Sequence, residues 1–316
     1  MMSLVTGRHK GMHSHPSNDQ EDILLDAPAK VNLFLHVVGR RSNGFHELES
    51  LFVFTETGDK VRLRAGEGLT LTVDGPFAAA LREAGGVGPE NLVCKAAKLL
   101  AASAGCAPNV HITLTKNLPV ASGIGGGSAD AAATLKGLIT LWGLDISERK
   151  LRALAFDLGA DVPACLRTSP LYVSGVGEKF AVKTLPKAYG ILLVNAGYPV
   201  STPAVFSAYK ADNRGGFDAQ MDMPLFEHGH SDAFLRFLKA KAYNALQRPA
   251  ETICPVITEV LGRLKQMPDV RHVAMSGSGG SCFALFDTQN QAKVAKEVLE
   301  QHRPDWWLKA DSLIKE

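Results

Sequence analysis

The stretch from Pro119 to Asp130 reads PVASGIGGGSAD, and the rest of the chain is best read outward from it. Glycine stands at 123, 125, 126 and 127, directly before a segment in which Ala131, Leu135, Leu138, Ile139 and Trp142 recur at helical spacing. That spacing predicts an amphipathic helix. Glycine lets a backbone turn tightly and come close to a ligand, and the start of a helix presents unpaired N–H groups and the positive end of a dipole. A triphosphate is the natural guest of such a loop. Two familiar phosphate motifs do not fit. No Lys-Ser or Lys-Thr pair follows the last glycine, and a dinucleotide fingerprint starting at Gly123 would need glycine where Ser128 stands. Hydride transfer therefore loses its main support.

Upstream, Val31, Leu33, Leu35 and Val37 alternate with Lys30, Asn32, Phe34 and His36, the period of a strand, which puts Lys30, Asn32 and His36 on one side. Leu48 to Phe54, Lys60 to Ala65 and Leu69 to Val73 read as further strands. Asn91 is placed to cap a helix that Gly105 closes, followed by a strand at Val110 to Thr115. Ser147 caps the next helix, to Leu158.

Downstream, strands at Leu171 to Ser174 and Gly190 to Asn195 precede a helix from Thr202, with Pro203 in its first turn. A helix near Glu251 to Gln266, strands at Arg271 to Met275 and Ser281 to Phe286, and a helix from Gln289 complete the pattern. The expected fold is α+β in two domains, β-rich at 23–172 and α+β at 173–316, after a disordered tail at 1–22.

Hydrophobic residues make up 46% of the 316 and charged residues 21%, the balance of an ordinary globular protein. Thirty-four Lys and Arg against 32 acidic residues leave a net charge of +2, too little to grip nucleic acid or an anionic membrane. The longest uncharged stretch is broken by Pro199 and Pro203, so it is not a membrane span. Five scattered cysteines without a CxxC pair read as buried thiols of a cytoplasmic protein.

Pro119 to Ala131 resembles the ATP-binding motif of the GHMP kinases. Ala27 to Leu33 (APAKVNL) resembles their first motif, and Ser276 to Ser281 (SGSGGS) their third. Asn43 to His46 (NGFH), Gly159 to Pro163 (GADVP) and Gly175 to Glu178 (GVGE) are similar to the diphosphocytidyl-methylerythritol kinases in particular. That family usually has Tyr where Phe45 stands and Gly where Ser122 stands.

The resemblance implies two domains with the active site in the cleft between them. It also implies transfer of phosphate from ATP, with Mg²⁺, to the 2-hydroxyl of 4-diphosphocytidyl-2-C-methyl-D-erythritol in isoprenoid precursor synthesis, by a monomer or homodimer. Asp161 would be the base, and Lys30 would keep it ionised and offset phosphate charge. Pro119, Val120, Ala121, Ser122, Gly123, Ile124, Gly125, Gly126, Gly127, Ser128 and Ala129 would hold ATP, with Ser128 near Mg²⁺. Asn91, Leu92 and Lys116 would border adenine and ribose. Phe45 and His46 would contact cytosine with Phe206 as the opposing ring, and Asn32 and Thr202 would lie near polar groups of the substrate.

Each role has a structural competitor in the sequence. Asn91 and Asp161 are both capping residues, Lys30 could be an edge charge, Phe206 falls at core spacing and His46 follows a turn. A homoserine- or mevalonate-type kinase would share the ATP loop, but Asn43 to His46 argues against it. A nucleotide-binding protein without turnover would be expected to lack Lys30 or Asp161, and both are present.

Overall fold

The computed structural model describes residues 22–212, 216–221, 223–226 and 229–315. The expected disordered tail lies outside these apart from Asp22, whose carboxylate accepts from Arg64 Nε and Nη2 at 2.6 and 2.8 Å. A long antiparallel hairpin of β1 (Ile23–Arg40) and β2 (His46–Arg64) opens the fold. It is followed by β3 (Leu69–Asp74), α1 (Ala78–Glu83), α2 (Leu92–Ala104), β4 (Val110–Thr115), α3 (Gly126–Leu141), α4 (Glu148–Leu158), α5 (Val162–Cys165), β5 (Leu171–Gly175) and β6 (Lys179–Val182). Then come β7 (Gly190–Asn195), α6 (Thr202–Asp212), α7 (Ser231–Lys241), α8 (Gln247–Ile253), α9 (Val256–Lys265), β8 (His272–Met275), β9 (Ser281–Phe286), α10 (Gln289–His302) and β10 (Trp307–Ser312).

The first sheet runs β3-β4-β2-β5-β6, with β1 also paired to β2. Strand β2 is long enough to pair with β4 through Lys60–Arg64 and with β5 through Leu48–Phe52. The sequence pattern divides β2 in two, yet the strand is continuous through Gly58. A Cβ there would stand 2.7 Å from the Pro28 Cα, so glycine is what lets β1 close against it. The second sheet, β10-β7-β9-β8, is antiparallel throughout. The boundary expected at residue 173 falls inside β5, and β5 with β6 completes the first sheet, so the second sheet begins only at Gly190.

Local chemistry sets the helix ends. The Asn91 side chain accepts from the Val93 N–H at 2.9 Å, Ser147 Oγ accepts from Lys150 N at 3.3 Å, and Gly105 takes φ +69° after α2. The single helix expected over 251–266 is two, because Pro255 has no N–H to continue α8. Helix α3 is not amphipathic. It packs between α2 and the β1–β2 hairpin, so Ala131, Ala132, Ala133, Leu135 and Leu138 are all buried. Three of the five cysteines are buried, whereas Cys106 is exposed and Cys254 intermediate.

Val31, Leu33 and Phe34 of β1 and Leu51 and Val53 of β2 share one core with Ile191, Leu193, Phe283 and Leu285 of the second sheet. This joins the two sheets across the hairpin. Phe283 is fully buried there. Phe283→Ala is expected to cost about 3–5 kcal/mol, read as a lower urea midpoint, with both sheets still unfolding in one transition.

Candidate functional site

Two glycine-rich loops meet back to back. Gly123 in the loop before α3 has φ +73°, and a Cβ there would stand 2.6 Å from the Ser276 carbonyl oxygen. Gly277, in the loop between β8 and β9, has φ +56°, and a Cβ on it would stand 2.7 Å from the Gly123 carbonyl oxygen. Ser276 ties the seam, accepting from Asn32 N at 3.1 Å and donating to the Gly123 carbonyl at 3.0 Å. The loop is also tied to β1, since Lys30 N donates to the Ile124 carbonyl at 2.9 Å. Ala121, a non-glycine, holds φ +51°, a left-handed conformation that costs about 1–2 kcal/mol. Ser122 donates to the Pro119 carbonyl at 2.7 Å, so the side chain that departs from the family pattern turns back into its own loop.

The loop divides two cavities. The larger, about 810 Å³, is lined by Lys30, Asn32, Phe45, His46, Asp161, Thr202 and Phe206 among others. The smaller, about 350 Å³, is lined by Asn91, Leu92, Lys116, Pro119, Val120, Ala121, Ser122, Gly126 and Gly127. Gly123, Gly125 and Ser128 belong to both walls. Ile124 and Ala129 line neither, because their side chains are buried in the core; Ile124 contributes its backbone through Lys30.

In the larger cavity Lys30 Nζ lies 3.0 Å from Asp161 Oδ2 and 2.9 Å from Asn32 Oδ1, and 4.4 Å from the centre of the Phe52 ring. Lys30 is only 3% exposed, so its charge needs these partners. Asn32 is in turn held by its Nδ2 donating to Ser50 Oγ at 2.8 Å. Asp161 precedes α5 but makes no side-chain cap, and 37% of its side chain is open to the cavity. Hence neither the capping role of Asp161 nor the edge-charge role of Lys30 describes what these side chains do.

His36 does not join them. A register shift between Asn32 and Leu35 breaks the alternation, so Leu35 lines the cavity. His36 instead stacks on Tyr243 at 4.2 Å and contacts the Lys241 carbonyl at 3.0 Å. At the cavity rim, Phe206 stacks on His46 with centroids 4.9 Å apart and planes at 19°, leaving no room for a base between them. Phe45 is 64% exposed and is the ring left with an open face. Burial, with Arg40 and Lys210 nearby, lowers the His46 pKa and favours the neutral imidazole. Thr202 Oγ1 lies 2.6 Å from Ser278 Oγ, binding α6 to the second glycine loop.

At the floor of the smaller cavity sits a charge cluster in which Asp59 is the member outside the residues that the motifs and the resemblance named. Lys116 Nζ donates to Asp59 and, at 2.9 Å, to Asp130, and all three residues are buried. Asp59 also accepts from Leu118 N at 2.8 Å. A Cβ on Gly126 would stand 3.0 Å from Lys116 Nζ, so the cluster lies directly under the first turn of α3. Burial pushes Asp130 up to about 8, opposed by Lys116 and reinforced by Asp59. Burial also works against the Lys116 charge, but the two carboxylates outweigh it and hold its pKa above the ordinary value. Asp130 closes the glycine-rich motif and Lys116 was expected beside adenine and ribose, but Asp59 sits in β2 without any local pattern, so only its meeting with them in space reveals the cluster.

A model of the GHMP kinases N terminal domain matches residues 91–169, and one of the GHMP kinases C terminal matches 222–305. The chain is 44% identical, over 92% of its length, to a 4-diphosphocytidyl-2-C-methyl-D-erythritol kinase of Paramagnetospirillum magneticum, covering 98% of that protein. The chain belongs to the 4-diphosphocytidyl-2-C-methyl-D-erythritol kinase family of the GHMP kinases. A 4-diphosphocytidyl-2-C-methyl-D-erythritol kinase of Rhodospirillum rubrum is 42% identical, with 93% of each chain covered. A crystal structure of 4-(cytidine 5'-diphospho)-2C-methyl-D-erythritol kinase matches with a TM-score of 0.74 at 34% identity, covering 92% of this chain and 99% of that one. Homoserine kinase from Cytophaga hutchinsonii, at 17% identity and a TM-score of 0.62, shares the fold. As a member of the 4-diphosphocytidyl-2-C-methyl-D-erythritol kinase family, the protein is a phosphotransferase. Among the described residues no helix is long and apolar enough to cross a membrane.

The buried cluster gives this kinase a pH-dependent stability. With its pKa raised from 3.8 to about 8, Asp130 takes up a proton in the folded state that the unfolded chain releases. Its contribution is therefore complete below pH 3.8 and is lost as pH rises through about 8. Asp130→Asn, which has no proton to lose, should flatten the fall in urea midpoint between about pH 5 and about pH 8.5 relative to the unchanged protein.

Proposed function

We propose that the protein transfers the γ-phosphoryl group of ATP to the 2-hydroxyl of 4-diphosphocytidyl-2-C-methyl-D-erythritol, giving the 2-phosphate and ADP. The observation that carries this reading is the Lys30–Asp161 pair, 3.0 Å apart, beside a glycine wall shared by two cavities of different size. The smaller cavity suits the nucleotide, since it opens on the first turn of α3, where the backbone N–H groups of Gly126, Gly127 and Ser128 have no helical acceptor. The larger suits the alcohol and its cytidyl group.

Phosphoryl transfer needs alignment and charge stabilisation more than covalent help. Asp161 accepts the proton of the 2-hydroxyl as its oxygen attacks the γ-phosphorus. The bond from that phosphorus to the β-bridging oxygen breaks and ADP leaves. Lys30, held by Asn32, neutralises charge spreading over the equatorial oxygens. Mg²⁺ would supply further neutralisation of the triphosphate charge. Among the described residues no group of three or more His, Cys, Asp or Glu is gathered where it could hold a metal ion. Ser128, on both cavity walls, is the residue whose hydroxyl would lie near such an ion.

Cytosine recognition falls to the open face of Phe45, with His46 buttressed by Phe206 behind it. A homoserine or mevalonate substrate would leave this aromatic rim without a partner. The deciding experiment incubates the protein with Mg-ATP and the cytidyl alcohol, and separately with homoserine and mevalonate, following ADP and the new phosphomonoester by phosphorus NMR. Turnover with the cytidyl alcohol alone is expected; turnover with either other alcohol and not with it would overturn the proposal. Asp161→Asn should lower kcat by about 10²–10⁴-fold while ATP still binds. Phe45→Ala should raise KM for the cytidyl alcohol about tenfold, and Phe45→Tyr should leave it within about twofold.

A further inference from the structure

The Gly175 to Glu178 turn between β5 and β6 has no part in the chemistry above, yet its side chains are fully engaged. Glu178 accepts from Arg41 Nη2 through one oxygen and from its own turn, Val176 N at 2.5 Å, through the other. Arg41 Nε also donates to Glu47 at 3.1 Å. The same residue organises the turn after β1, where Arg41 N donates to the Phe45 carbonyl at 2.8 Å and the Arg41 carbonyl accepts from Gly44 N at 2.9 Å. Both turns line the larger cavity, one through Phe45 and His46, the other through Val176 and Gly177.

On its far side the second turn touches the catalytic segment. Gly177 has φ +111°, and a Cβ there would stand 3.0 Å from the carbonyl oxygen of Ala160, the residue before Asp161. A continuous path of contacts thus runs from the Phe45–His46 turn through Arg41, Glu178 and Gly177 to Ala160 and Asp161. Burial is the largest single influence and works against the Glu178 charge, but the Arg41 hydrogen bond, the backbone N–H groups of Glu178 and Val176 and the Arg41 charge together outweigh it and keep the carboxyl below its usual range. A surface ion pair alone would count for little, but the side chains are only 34% and 27% exposed and each makes a second hydrogen bond.

We propose that Arg41 and Glu178 form a clasp that sets the distance between the Phe45–His46 turn and Asp161, and so fixes where the reacting hydroxyl lies once the base is bound. This rests on the reading of the larger cavity as the site of the cytidyl alcohol. Arg41 and Glu178 are positioning residues in this scheme and touch neither reacting group. The clasp ties together two turns, distant in sequence, that border one cavity.

The test uses Glu178→Gln and Arg41→Lys, each compared with the unchanged protein in two measurements. In the first, amide hydrogen exchange of the free protein should quicken in both variants at residues 41–46 and at 159–163, with the sheets unaffected. In the second, KM for the cytidyl alcohol should rise on the order of tenfold in Glu178→Gln, with KM for ATP within about twofold. Arg41→Lys, which keeps the charge but not the fork, should fall between. Exchange that quickens only at Val176 to Glu178, or equal losses in both KM values, would overturn the clasp. If the unchanged protein did not phosphorylate the cytidyl alcohol, the substrate reading would fail, and the exchange at 159–163 would still decide whether the two turns are coupled.

Discussion

Everything about this site depends on two backbones approaching without side chains between them. The loop before α3 and the loop after β8 come from different sheets and touch at Gly123 and Gly277, where a single methyl group on either would collide with a carbonyl. Ser276 then supplies the hydrogen bonds that make the approach specific, to Asn32 on one side and Gly123 on the other. The glycines therefore do two jobs. They leave the first two residues of α3 bare of side chains, and they let the second sheet brace the loop from behind.

From that seam the placement of charge follows. Lys30 lies on β1 where the strand pairs with the loop, so its ammonium is fixed relative to the start of α3 by backbone hydrogen bonding. Its burial makes Asp161 and Asn32 necessary partners and keeps the group oriented. On the opposite side of the loop, Lys116 is spent on Asp59 and Asp130. Two lysines near one glycine loop thus have different parts: one faces the larger cavity, the other anchors the floor of the smaller.

The segments with strong local chemistry were legible in the sequence. Asn91, Gly105 and Ser147 mark helix ends because capping is a matter of a few neighbouring atoms, and the strand from Ser281 to Phe286 is written in six consecutive residues. The Lys30–Asp161 meeting was anticipated from motif resemblance, since the two lie 131 positions apart and no periodicity links them. What escaped was set by tertiary contact. Gly58 reads as a break and is a point of close strand approach; the shift after Asn32 sends His36 away from the cavity; α3 looks amphipathic because its small alanines do not announce that both sides are covered. Asn91 proved a cap that also borders a cavity, so the two readings were never exclusive.

The wall common to the two cavities is made of Gly123, Gly125 and Ser128, which present almost nothing but main chain to either side. A lineage built on this plan can remodel the aromatic rim around Phe45 and Phe206 while the smaller cavity stays as it was, since of the three residues the cavities share only Ser128 carries a side chain. Change in one cavity beside constancy in the other is then a property of the partition itself.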